Sequence, residues 1–194
     1  MQKFELDLLN DLSAQKKISK WSIILILLSI IPFFALNIFS PSSGTSALLL
    51  PESLSASLGG FSIFLNVIAV VAIFLVLVVV HEAIHGILFK VFAPREKVKF
   101  GFKAGMAYAT SPGSVFSRGQ FIIIILAPFV IITTLLIIGM FVLPHGSYKY
   151  LLIGHTGACI GDFYYVYLVL KHPHLKYCMD TDTGMNMYKF DPRT

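Results

Sequence analysis

The chain has 194 residues, of which 56% are hydrophobic and only 13% charged, with a mean hydropathy of +0.80 and a net charge of +5. Soluble domains carry about 25% charged residues, so this composition excludes an ordinary soluble protein and points to a single membrane-embedded domain over residues 1–194. The basic residues form no stripe, which argues against nucleic acid, and Cys159 and Cys178 lie too far apart in sequence to suggest a disulfide framework.

In chain order, residues 1–20 place Phe4, Leu8, Leu9 and Leu12 at helical spacing ahead of Lys16, Lys17 and Lys20. That pattern predicts an N-terminal amphipathic helix lying on a membrane surface. A first span is predicted over 21–39, with Trp21 at the interface. Residues 40–60 are rich in Pro, Gly and Ser and read as a loop that dips against the membrane through Leu48, Leu49 and Leu50. A second span is predicted over 61–92. As a helix it would be about 48 Å long, more than the hydrocarbon core of about 30 Å, so one end must tilt or project.

Between residues 93 and 119 the pattern changes. Val98 to Lys103 and Met106 to Thr110 alternate around Ala104-Gly105, predicting a small membrane-proximal β-hairpin. Such a hairpin could be a plain connection or an edge that pairs with an extended peptide. A third span is expected over 121–143, kinked at Pro128, and a fourth over 150–170, followed by a polar tail. The expected architecture is therefore an all-α integral membrane protein with four transmembrane helices, the N-terminal helix and the hairpin. Of the 15 Lys and Arg residues, only Lys149 falls on the far side of these spans. The excess of positive charge places both termini in the cytosol.

The second span ends on His81-Glu82-Ala83-Ile84-His85-Gly86. Residues four apart on a helix share a face, so His81 and His85 are placed to share a metal. Glu82 then stands where a carboxylate can take a proton from an activated water. A catalytic zinc has three protein ligands, and the candidates for the third are His145, His155, Asp162, His172 and His174. His81 lies nine residues before Lys90, and Asp162 lies nine before Lys171. Each is about 13 Å of helix from its basic boundary, so their depths match. An aspartate inside a span also needs a partner or a metal. Asp162 is thus favoured, and His155, two turns away on roughly the same face, remains as either a supporting group or the ligand itself. Gly157-x-x-x-Gly161 is expected to let this span pack closely against the second.

These residues resemble a family of small bacterial membrane proteins grouped as zincin peptidases, long treated as a domain of unknown function. The resemblance covers most of the chain. It rests on His81-Glu82-x-x-His85-Gly86, on Phe100-Gly101-Phe102 with Ala107-Tyr108, and on Arg118 with Leu126-Ala127-Pro128. Gly157, Gly161-Asp162 and Asp180-Thr181-Asp182-Thr183-Gly184 complete it. The arrangement is also similar to site-2-type intramembrane proteases, although their Asn-Pro-x-x-Asp-Gly motif is missing here. The resemblance implies Zn2+ held by His81, His85 and Asp162, with Glu82 as the catalytic base. It also implies residence in the bacterial cytoplasmic membrane and a membrane-protein or peptide substrate. The expected function is a zinc-dependent membrane endopeptidase. The alternative is a non-catalytic subunit with a structural metal, or a partner of a transporter or sensor.

Overall fold

The computed structural model describes residues 3–8, 10–39, 52–103, 105–142 and 147–194. In chain order the elements are β1 (Lys3–Asp7), α1 (Leu12–Phe39), α2 (Glu52–Leu58), α3 (Phe61–Phe92), β2 (Lys99–Lys103), β3 (Met106–Thr110) and β4 (Val115–Ser117). They continue with α4 (Arg118–Val142), α5 (Ser147–Ala158), α6 (Ile160–Lys171), β5 (Tyr177–Asp180) and β6 (Gly184–Tyr188).

The all-α expectation with four spans is overturned. The described residues hold six helices and two sheets, one of four strands in the order β1-β6-β5-β4 and one of two, β2-β3. Among them only α3 and α4 are long and apolar enough to cross a membrane. The segment expected as a fourth span is interrupted at Cys159, leaving α5 and α6 with 12 residues each. Each half is about 18 Å long, short of the hydrocarbon core by itself. The expected first span lies inside α1, whose opening turns carry Lys16, Lys17 and Lys20.

The N-terminal amphipathic helix is also corrected. Residues 3–7 are a strand paired antiparallel with β6, Phe4 opposite Met187 and Leu6 opposite Met185. The helix starts only at Leu12, where the Asp11 carboxylate accepts the backbone N–H groups of Ser13 and Ala14 at 2.8 and 3.1 Å. This is an N-cap that satisfies donors no intrahelical partner can reach. The tail likewise folds into β5 and β6, where Cys178, Met185 and Met187 are fully buried. The expected loop contacts of Leu48, Leu49 and Leu50, and His145, lie outside the described residues.

The predicted hairpin is present. β2 and β3 pair from Lys99 with Thr110 to Lys103 with Met106, and Gly105 adopts φ +79°, the left-handed conformation a tight turn requires. Phe100 packs directly over Gly86, in the space a Cβ would fill. The small residue after His85 therefore lets the hairpin lie against α3.

The four-stranded sheet fixes the direction of the helices. It joins the first strand, the last two, and β4, which runs straight into α4. Both chain ends thus lie at the end of the molecule where α3 finishes and α4 begins. There the main core forms, with Phe89, Phe116, Phe121, Ile124, Leu168 and Met187 among its members.

Asp180 ties the hairpin to this sheet. Its buried carboxylate accepts the Thr110 hydroxyl at 2.6 Å and the Ser111 backbone N–H. Burial raises its pKa to about 6, against about 3.9 for a free aspartate. Between these values the folded chain holds a proton that the unfolded chain has released. Stability is therefore fully present below about pH 4, falls as pH rises through about 6, and then levels. The change is on the order of 3 kcal/mol. Asp180→Asn, which keeps the acceptor oxygen, should flatten thermal midpoints measured across that window.

Candidate metal centre

His81 and His85 are one turn apart on α3, and both rings are buried on the face turned towards α4 and α6. Asp162 sits in the first turn of α6. Its Oδ2 is 3.0 Å from His81 Nε2 and its Oδ1 is 3.5 Å from His85 Nε2, while the two Nε2 atoms are 3.2 Å apart. Donors about 2.0–2.1 Å from a tetrahedral zinc would be about 3.3–3.4 Å from one another. The three side chains therefore approach one another, His81 through one carboxylate oxygen and His85 through the other, at separations of the size zinc donors require.

Two further observations fit a cation. Among the described residues, Asp162 Oδ2 is buried, makes no well-formed hydrogen bond and has only the His81 Nε2 contact at 3.0 Å, an arrangement that a cation between them would complete. The facing Nε2 atoms of His81 and His85 converge on the same point, and the tautomer of one is set by its other nitrogen. His85 Nδ1 lies 2.9 Å from the Ile124 carbonyl, an acceptor only, so Nδ1 carries the ring proton. In the neutral ring that leaves the His85 Nε2 lone pair aimed at the shared point, the tautomer a metal needs.

The Ile124 carbonyl is available for a reason written in α4. In a regular helix it would accept from the residue four positions on, which is Pro128. Proline has no N–H to donate. His85 supplies the missing donor, so the proline read from sequence as a kink also frees the acceptor that orients a ligand. Pro128→Ala should return an N–H to compete for that carbonyl. Loss of such an outer partner costs about 10–100-fold in metal affinity. A competition titration against a chromogenic chelator measures it, and an unchanged affinity would refute the link.

Glu82 is half-buried beside the metal ligands, with the Ala109 backbone amide of β3 next to its carboxylate. It lines a cavity of about 550 Å³ together with His81, His85, His155, Asp162 and the whole of β3. The structure thus brings together all four residues singled out by spacing and depth. His155 stands apart from the three-ligand group. It is stacked on Phe129 and falls in a second cluster with His81 and Cys159. Among the described residues no fourth ligand atom joins His81, His85 and Asp162. His172 and His174 are remote from it, His172 lying against Phe4 of β1.

The packing role expected for the two glycines is corrected. A Cβ on Gly157 would meet Ile26 of α1, and one on Gly161 would meet nothing. Gly154 is the glycine that faces α3, through Phe74. Gly161 instead lines the cavity beside Asp162. The spacing was legible, but which helix lay opposite was not. Sequence reasoning also missed Cys159, which is fully buried 3.9 Å from His81. Its only signal was a position four residues after His155.

Two imidazoles one helical turn apart, a carboxylate from a second helix and a glutamate beside the first histidine define a metallopeptidase-type site. A family model described as "Putative zincin peptidase" matches residues 74–177, more than half of the chain, and the chain belongs to that family. No curated protein and no solved structure matches it. Membership supports a metallopeptidase reading and zinc as the metal. The matched residues take in α3 from residue 74 onward, the hairpin, α4, α5 and α6, and so every member of the site.

Proposed function

We propose that this chain is a zinc-dependent membrane endopeptidase that cleaves peptide bonds in or beside the bilayer. The observation that supports it best is the convergence of His81 Nε2, His85 Nε2 and the Asp162 carboxylate, next to Glu82 and lining the cavity. When bound, zinc would supply Lewis acidity to a carbonyl oxygen and lower the pKa of a coordinated water to about 7. The protein side of the work falls to the residues around it. His81, His85 and Asp162 hold the cation, and the Ile124 carbonyl keeps His85 in the correct tautomer. Glu82 takes the proton from the attacking water and delivers it to the departing amine nitrogen.

The hairpin supports a peptide substrate. β3 is paired with β2 along one edge, its other edge carries no strand among the described residues, and residues 106–110 line the cavity. An extended segment laid along that edge would gain backbone hydrogen bonds and pass Glu82. A membrane protein or a peptide released from one fits such a groove.

The membrane setting rests on the two long helices. α3 exposes Ile63, Phe64, Val67, Val71, Val76 and Val79, each more than half accessible. Exposed apolar area costs about 25 cal/mol per Å² in water, a cost that lipid removes. We place the chain in the bacterial cytoplasmic membrane with both termini cytosolic. Arg95, Lys97, Lys99 and Lys103 lie between α3 and α4, at the end that also carries both termini.

The test is cleavage of a quenched-fluorescence peptide library, or of a lipid-embedded segment, by the full chain purified in detergent. A strong chelator should abolish turnover and stoichiometric zinc should restore it. Cleavage that persists in metal-free protein would sink the proposal.

A further inference from the structure

A second group of ligand atoms adjoins the first and the proposed hydrolysis does not use it. Cys159 Sγ lies 3.9 Å from His81 Nδ1, the ring nitrogen turned away from Asp162. It is 3.7 Å from each ring nitrogen of His155. The ligand atoms of His81, His155 and Cys159 all fall within 4.8 Å of one another, and all three residues are buried. A zinc-type cation with sulfur at about 2.3 Å and nitrogen at about 2.0–2.1 Å would set its S and N donors about 3.6 Å apart. The observed sulfur–nitrogen separations of 3.7–3.9 Å need only a few tenths of an ångström of closure.

The surroundings suit a ligand role. His155 and His81 line the same cavity, and their ligand atoms lie within 4.8 Å of each other. The His155 ring is held by stacking on Phe129, at 6.1 Å between ring centroids. The only other cysteine, Cys178, is buried in β5 with no such company.

We infer that His81, His155 and Cys159 form a second, thiolate-containing site for a soft or borderline divalent cation, joined to the first through the two nitrogens of the His81 imidazole. A thiolate selects such cations over Mg2+ or Ca2+. Charge also balances. Two divalent cations are matched by Asp162, Glu82, the Cys159 thiolate and a doubly coordinated His81 imidazolate, and a neutral cluster is the form a site shielded from water favours. An imidazole shared between two cations gives less electron density to each. Loading the second site should therefore loosen the first.

Cobalt titration of the full chain in detergent separates this from the proposed function. The first equivalent should show tetrahedral visible bands without a thiolate band. A second equivalent should add an intense near-ultraviolet thiolate-to-cobalt charge-transfer band. Cys159→Ser and His155→Ala should each lose the second equivalent and its band while keeping the first, and Cys178→Ser should change neither. Release of the first cobalt to a chelator should be several-fold faster once the second site is filled. A wild type that takes one cobalt with no thiolate band would overturn the second site and leave the first intact. Cys159 would then be only an acceptor for the His81 N–H. A thiolate band that survives Cys159→Ser would also overturn it. Absence of any cobalt binding would instead count against the zinc site itself.

Discussion

Glu82→Gln should keep the metal and lose peptide hydrolysis. The substitution preserves size and the neighbouring Ala109 amide contact, and it touches none of the three ligand atoms. What it removes is the ability to accept a proton from water and return it to the leaving amine. General acid–base groups contribute about 10²–10⁴-fold to rate, so turnover should fall by that factor while metal content and thermal midpoint stay at wild-type values. Zinc analysis and peptide turnover on one preparation separate the outcomes. A fully active, zinc-loaded Glu82→Gln protein would remove this residue from the chemistry. A metal-free variant would place Glu82 among the ligands instead.

Asp162→Asn should have the opposite profile, losing the metal first. The aspartate contributes the one anionic donor to the triad, from a helix distinct from that of the two histidines. Its loss should cost more than the roughly 10–100-fold typical of an outer-shell partner. The apo protein should lose little, because Asp162 Oδ2 is buried without a well-formed hydrogen bond, and an amide keeps an oxygen or N–H to face His81 Nε2. A neutral amide there replaces a charge that is expensive in the absence of a cation. Zinc at about 100 times the wild-type Kd adds about 2.7 kcal/mol of stability by mass action. The wild type should show that gain as a raised thermal midpoint, and Asp162→Asn should not. A variant still stabilised by zinc as strongly as wild type would disqualify Asp162 as a ligand, and His155 would become the residue to test.

The two results are independent readings of one arrangement. Glu82 and Asp162 both face the cavity, yet substituting the first leaves the metal without the chemistry and substituting the second leaves neither. Pro128→Ala lies between them, with all ligands present and one of them poorly oriented.

Some of this arrangement follows from local rules alone. His81, Glu82 and His85 share a helix, and 3.6 residues per turn set two imidazoles on one face whatever surrounds them. The range of α3 and nearly the whole of α4 were readable because long apolar runs admit few alternatives. The β2–β3 hairpin was readable because its partners are adjacent in sequence. The strands β1, β4, β5 and β6 were not. Phe4 pairs with Met187, and Phe116 with Cys178, contacts between segments that no sequence window contains. Short methionine-rich runs such as Gly184 to Tyr188 carry little strand signal of their own, and become strands because a neighbour offers hydrogen bonds and a core to bury against.

The chain's own order of residues determined that two histidines and a glutamate would meet on one helix, and that a proline in α4 would leave a carbonyl without its helical donor. Only tertiary packing decided which side chain would use that carbonyl and that α6 would bring Asp162 within 3.5 Å of both rings. It also decided that the helical run would break at Cys159 and that both chain ends would join one sheet. The reason is reach. Helix periodicity constrains neighbours a few residues apart, whereas a carboxylate some eighty positions further along is placed by the sum of burial and hydrogen bonding over the whole fold.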